Sequence, residues 1–432
     1  MRSDRRAPFS LLTRRQFAAS AVAAGLTAAA TPLAARRRDR AGSGFDRGPG
    51  GGIGFRRGIN IYHMMREPKR QPDGRFPWPP YGDALHAMSD AEIAELRAVG
   101  FDFVRLAITP DIFSITTGRE NGEVYGMLKD VIGRFLRAGL QVLADLHPQA
   151  NDNPGYGWSE IVADIDGESF QRYTAMVSQF ARALRDMPRN QVALELMNEP
   201  ETSAARWTPM LQRLHEAARQ SAPDLLIFLA GAQQRYDTLT HLDVSPYSGS
   251  NVVYSFHYYE PHDFTHQGVG KDRAYAVSMP WPTSSSTAEE TIARVNEYID
   301  HKVNLPDDAK TSAKAKADEA VNAYFARGAG PNDIATAFGQ VAQWADSNGI
   351  PRERVVMSEF GVERTVGKFA GAQEPDRLRW LEAVRTAAEA RHFGWALWSY
   401  SGPAGMTLAN EYPARTIDNA TLTALGLRPT TG

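Results

Sequence analysis

Val192-Ala193-Leu194-Glu195-Leu196-Met197-Asn198-Glu199-Pro200 is an aliphatic run that ends abruptly in an amide, an acid and a breaker. A strand buried on both faces of a parallel sheet reads this way: short, apolar and stopped by a proline. In a closed barrel of such strands the carboxyl ends open into loops that carry the reactive groups. Glu199 is therefore placed like a functional acid. Taken alone, a strand-end glutamate would more often be a structural ion pair.

The pattern recurs in Val355-Val356-Met357-Ser358-Glu359-Phe360-Gly361. Glu359 again lies near the carboxyl end of an apolar strand. Two carboxylates facing one pocket are the minimum set for cleaving a glycosidic bond. Two such acids on one repeating pattern favour chemistry over structure.

Strand and helix patterns alternate around these two stretches. Strands are read at 58–61, 103–108, 141–147, 192–199, 225–231, 252–259, 355–361 and 393–400. Helices are read at about 90–99, 125–138, 170–184, 207–220, 332–348 and 375–390, the first with Asp90 as its cap. Eight buried strands with helices between them predict a (β/α)8 TIM barrel. A doubly wound dinucleotide-binding sheet is disfavoured, because no Gly-x-Gly-x-x-Gly follows an early strand. The segment 261–331, after the sixth strand, exceeds an ordinary loop and is read as a wall or lid over the cleft.

The amino-terminal stretch predicts export. Arg14-Arg15-Gln16-Phe17 followed by an Ala-rich apolar stretch resembles a twin-arginine (Tat) signal peptide, assigned to residues 1–35. Residues 36–52 are rich in Arg and Gly and read as a disordered linker, leaving 53–432 as the catalytic domain. A periplasmic or secreted protein is expected.

Composition narrows the partners. With 48 basic and 50 acidic residues there is no electrostatic case for nucleic acid. There is no cysteine, so disulfides and thiolate metal sites are excluded. No run is long and apolar enough for a membrane span. No His-Glu-x-x-His and no Gly-x-Ser-x-Gly occurs, which disfavours zinc-protease and serine-hydrolase readings. No metal and no cofactor are expected, and the chain is expected to be a monomer.

Several further residues fall at successive strand ends: Arg105, Leu146-His147-Pro148, His257-Tyr258-Tyr259 and Trp398. Together with Asn198-Glu199-Pro200 and Ser358-Glu359-Phe360-Gly361, they make residues 58–425 resemble glycoside hydrolase family 5, the cellulase-like barrels. The resemblance implies that Glu199 is the acid/base and Glu359 the nucleophile of a retaining hydrolase. It implies that Tyr259 donates to the nucleophile and that Asn198 binds the sugar 2-hydroxyl. His147 and His257 would bind hydroxyls or support the acid/base, and Trp398 would floor the reacting sugar. Arg105, grouped with the substrate-binding residues, can hold Glu359 ionised. Retention requires carboxyl groups about 5–5.5 Å apart.

The substrate expected from the resemblance is a β-linked glucan, cut as by an endo-β-1,4-glucanase. Exo-β-1,3-glucanase, β-mannanase, xyloglucanase and transglycosylase remain open as alternatives. Tyr62, Trp78, Trp158 and Trp281 are candidate outer platforms for sugar rings.

Overall fold

The computed structural model describes residues 53–430, apart from 67, 69, 151–152, 250, 270–274, 366–369, 403–404 and 411–414. The expected leader and the expected linker lie outside the described residues. Eight parallel strands form one closed barrel: β1 (Arg57–Met65), β2 (Phe103–Ile108), β3 (Gln141–Leu146), β4 (Val192–Glu195), β5 (Leu226–Arg235), β6 (Val252–His257), β7 (Val355–Phe360) and β8 (Gly394–Leu397). β8 pairs back onto β1.

Period-two alternation gives each strand one face for the barrel interior and one for the helices. Phe55, Phe103, Leu143, Ala193, Phe228, Val253, Val356 and Ala396 pack together as the interior floor. Phe55 meets the Phe103 and Phe228 rings edge-on, at 5.3 and 5.4 Å between centroids. Gly58 makes room for this floor, since a Cβ there would stand 2.2 Å from the Phe103 ring. Two residues further along the same faces the interior turns polar, with Asn60, Arg105, Asp145, Glu195, Ser255 and Ser358 all buried.

The opposite strand faces pack on amphipathic helices. The first of these, Asp90–Val99, buries Ile93, Leu96 and Val99. Its cap is Ser89, not Asp90: Ser89 accepts from the Glu92 N–H while the Glu92 side chain returns to the Ser89 N–H. The long helix Gly118–Arg137 begins earlier than the apolar spacing suggested. Its first turn holds Gly118, Arg119 and Glu120, which carry no apolar signal.

The segment after β6 contains the short helix His262–Thr265 and two longer helices, Ala288–Lys302 and Asp307–Arg327, packed on each other. Trp281, a candidate sugar platform, is instead buried here at 1% exposure. Arg379 donates to its carbonyl oxygen at 2.6 Å, and Tyr324 Oη donates to that of Pro280 at 2.7 Å. The ring is core of the inserted segment and does not face a sugar.

Candidate active site

Arg105 sits at the centre of the polar layer with no solvent exposure. Its Nε donates to Glu195 Oε2 at 2.6 Å and its Nη2 lies 3.0 Å from Asp145 Oδ2. Nη1 donates to Glu359 Oε1 at 2.5 Å and to Asn60 Oδ1 at 3.0 Å, and Nη2 to Asn198 Oδ1 at 2.8 Å. A guanidinium has five N–H groups in a rigid fork, and here the fork is filled. Burial works against its charge, but Asp145, Glu195 and Glu359 more than offset that and hold it above its ordinary range. Arg105 therefore orients the nucleophile candidate from below. Grouped from the sequence with the substrate-binding residues, it lies here without solvent exposure and with its N–H groups turned to protein partners.

Glu359 owes its place to a break in alternation. β6 and β7 pair Phe256 with Met357 but His257 with Glu359, a bulge at Ser358. Neighbouring strand residues normally face opposite ways. Across the bulge both turn inward: Ser358 Oγ lies 3.2 Å from Gln234 Nε2, while Glu359 reaches Arg105. Tyr259 Oη donates to Glu359 Oε2 at 2.8 Å. Burial pushes the Glu359 carboxyl up, and His257, Arg105 and the Tyr259 hydrogen bond oppose it.

Glu199 lies beyond its strand. β4 ends at Glu195, not at Glu199 as the run suggested, because the chain leaves the ladder to cross the barrel mouth. Tyr173 Oη donates to the Leu196 carbonyl at 2.7 Å, and the Asn198 N–H to that of Leu146 at 2.8 Å. Glu199 itself takes a left-handed φ of 39°. Its side chain is 42% exposed, against 6% for Glu359. Burial of the carboxyl in the cleft floor pushes it up to about 7, with Arg105 pulling the other way.

His257 joins the two acids. Its Nδ1 lies 2.7 Å from Glu199 Oε1 and 3.5 Å from Glu359 Oε2. A donor oxygen of each acid and the imidazole nitrogen all fall within 4.8 Å of one another. So close an approach of the two acids is compatible with a retaining pair, whose carboxyl groups stand about 5–5.5 Å apart, and leaves no room for the wider gap of an inverting one. Burial lowers both the His257 and the His147 imidazoles. Glu199, His257 and Glu359 are also the group among the described residues close enough to share a cation.

His147 Nδ1 lies 2.7 Å from Asp145 Oδ2, and its ring stacks on Trp398 at 5.9 Å and 24°. Tyr62 meets Trp398 edge-on at 5.9 Å. The structure thus brings Asn198, Glu199, His147, His257, Tyr259, Glu359 and Trp398 to one mouth. The adjoining cleft, about 450 Å³, is walled by Gln233, Arg235, Tyr236, His262 and His266. His262 and His266 stack face to face at 3.7 Å. The start of the inserted segment therefore walls this cleft, whereas its two long helices contribute none of the lining residues. Trp78 is 41% exposed and donates from Nε1 to Glu123 at 2.8 Å. Neither Trp78 nor Trp158 is among the residues lining this cleft.

Four supporting residues escaped the sequence reading: Asn60, Asp145, Glu195 and Gln234. The first three had a signal, a polar residue at an inward position of an otherwise apolar strand. Gln234 had none, because β5 runs on to Arg235, past the apolar part of the strand.

A family model for the cellulases, glycosyl hydrolase family 5, matches residues 77–402. Endoglucanase 3 of Fibrobacter succinogenes is 27% identical over 223 residues, covering 50% of this chain and 30% of its own. Cellodextrinase A of Ruminococcus flavefaciens is 29% identical over 185 residues, 42% of this chain and 54% of its own. The chain thus spans about half or less of the length of these relatives. Among solved structures, cellulose synthase subunit Z of Clostridioides difficile aligns at a TM-score of 0.60 and 23% identity, over 86% of this chain and 99% of its own. The endoglucanase Cel5A of Thermotoga maritima aligns at 0.59 and 21%, over 86% and 97%. At those identities the structural likeness speaks for the barrel.

Proposed function

The chain belongs to the cellulase family, glycosyl hydrolase family 5, and from that premise we propose that it hydrolyses β-glucans with retention, as an endo-β-1,4-glucanase. The observation that carries the reading is the pair Glu199 and Glu359. One oxygen of each lies within 4.8 Å of the other, one acid half-buried at the cleft and raised to about 7, the other ion-paired to Arg105.

In the first step a Glu359 oxygen attacks the anomeric carbon as the glycosidic C–O bond breaks. Glu199 delivers its proton to the departing oxygen. Arg105 and Tyr259 pair with the Glu359 carboxylate, oppose the effect of its burial and aim it, and Glu199 is protonated below about pH 7. In the second step Glu199, now ionised, takes a proton from water, whose oxygen displaces Glu359 from the sugar. Asn198 Oδ1 is held by Arg105, which leaves Nδ2 as the donor for a sugar hydroxyl. Trp398, braced by His147 and Tyr62, supplies a flat apolar face for the pyranose.

Support for a β-1,4-glucan comes from the names of the relatives, endoglucanase and cellodextrinase. Carboxymethyl-cellulose, laminarin, mannan and xyloglucan, assayed side by side with NMR of the first-formed anomer, test it. Release of β-anomers from carboxymethyl-cellulose is the expected result. Release of α-anomers would overturn retention, and preference for another polymer would move the specificity to one of the alternatives. We also propose export through the twin-arginine leader; replacing Arg14-Arg15 by Lys-Lys should retain the protein in the cell, and unchanged export would refute it.

A further inference from the structure

Gln234 touches neither the cleft nor solvent, yet it reaches beneath both acids. It is fully buried, and it and Gln233 take left-handed φ values of 53° and 54°. Two successive non-glycine residues in that region persist only where their surroundings over-determine them. Here the contacts do so. Gln234 Oε1 accepts the Glu199 N–H at 3.1 Å. Its Nε2 donates to Glu195 Oε1 and lies 3.1 Å from Ser255 Oγ and 3.2 Å from Ser358 Oγ. In return the Gln233 N–H donates to the Pro200 carbonyl at 2.9 Å. The carboxyl end of β5 and the Asn198–Pro200 turn are therefore stitched in both directions.

We propose that Gln234 is a positioning residue for the acid/base: it fixes the left-handed backbone of Glu199, and so the place from which the carboxyl delivers its proton. The proposal rests on the reading of Glu199 as the acid/base. The chemistry requires a carboxamide. Only an amide accepts on one atom and offers two donors on the other. A carboxylate at 234 would set a second negative charge against Glu195. An aliphatic side chain would leave the Glu199 N–H unpaired and Glu195 Oε1 with the Ser255 hydroxyl alone.

The test uses aryl β-cellobiosides, with phenol and 2,4-dinitrophenol as leaving groups, on the full chain. Dinitrophenolate departs without a proton, so only the phenyl substrate needs a well-placed Glu199. For Gln234→Met, kcat/KM on the phenyl substrate should fall about 100-fold, the order expected for a misplacement near 1 Å, and by no more than about threefold on the dinitrophenyl substrate. In the Glu199→Ala background the Gln234 substitution should add nothing further on either substrate. Equal losses on both substrates, or losses that multiply in the double variant, would overturn the proposal. Glu199→Ala alone separates the two ideas: without leaving-group dependence in that variant, the acid/base reading itself fails. Should Gln234→Met not fold, Gln234→Glu takes its place at pH 5. Its carboxyl keeps the acceptor for the Glu199 N–H, so phenyl turnover should stay within about tenfold of the parent. A 100-fold, leaving-group-dependent loss in that variant, or failure of both variants to fold, would likewise overturn the proposal.

Discussion

Glu199 and Glu359 carry the same functional group and differ only in surroundings. Glu359 is buried against a guanidinium and a phenol. Glu199 faces an imidazole and the open cleft. Deleting either should cut turnover on polysaccharide by several orders of magnitude, with opposite outcomes when azide is added. Glu359→Ala should yield the α-glycosyl azide and Glu199→Ala the β-glycosyl azide, read by NMR; the same anomer from both would reverse a role. The raised Glu199 carboxyl also sets a pH limb. Activity needs it protonated, so kcat/KM should fall as pH rises through about 7. The same shift bears on stability. The folded protein binds the Glu199 proton more tightly than the unfolded chain, whose ordinary value is 4.5. That contribution is complete below about 4.5 and is lost as pH rises through about 7. Calorimetry of Glu199→Gln should show a Tm advantage over the parent that is larger at pH 8 than at pH 4.

At the scale of elements, the strands do two jobs along one face. Their first halves seal the barrel floor, and their last inward positions carry charge. Gly58 shows how tightly the floor is filled. In Gly58→Ala the new Cβ would lie 2.2 Å from the Phe103 ring. Overpacking of this kind costs about 1–3 kcal/mol, so thermal unfolding should move down, and Phe103→Leu in the same chain should restore part of the loss. The bulge in β7 and the departure of the chain from β4 are the irregular counterparts of this regular frame. Each breaks a ladder to swing one acid over the mouth. Trp395 and Trp398 mark the same transition in and beyond β8. Trp395 is buried between Phe101 and Phe360 on the helix side, and three residues later Trp398 meets His147 and Tyr62 at the mouth.

Over the whole molecule, Arg105 and Gln234 act as cross-braces beneath the site. Arg105, on β2, bonds to groups on or just beyond β1, β3, β4 and β7. Gln234, on β5, bonds to β4, β6 and β7. The closed sheet is thus tied across its interior as well as around its rim. Arg105→Met would leave Asp145, Glu195 and Glu359 without their shared cation, and breaking a buried pair from one side costs about 3–5 kcal/mol. Denaturant titration should show that loss at pH 7. It should shrink at pH 4, because neutral carboxyls need no counter-charge. An equal deficit at both pH values would argue against charge as the cause.

Much of this was legible along the chain. Alternating apolar runs and helical faces specify eight βα units, and eight units close into a barrel. That Glu199, Glu359, His147, His257 and Trp398 fall at or just beyond the carboxyl ends of buried runs follows from local sequence, since a breaker or polar residue must end each run, but the exit of the chain from β4 at Glu195 does not. The approach of those ends to one another belongs to closure, which joins residues hundreds of positions apart. Closure brings the two acids within 4.8 Å of each other and shuts Arg105 away from solvent, while packing within the insertion buries Trp281. It also recruits Gln234, whose neighbours in sequence give no hint of its partners. Solvent exclusion is a property of the assembled barrel, so the split between two identical carboxyls exists only once the chain has folded around them.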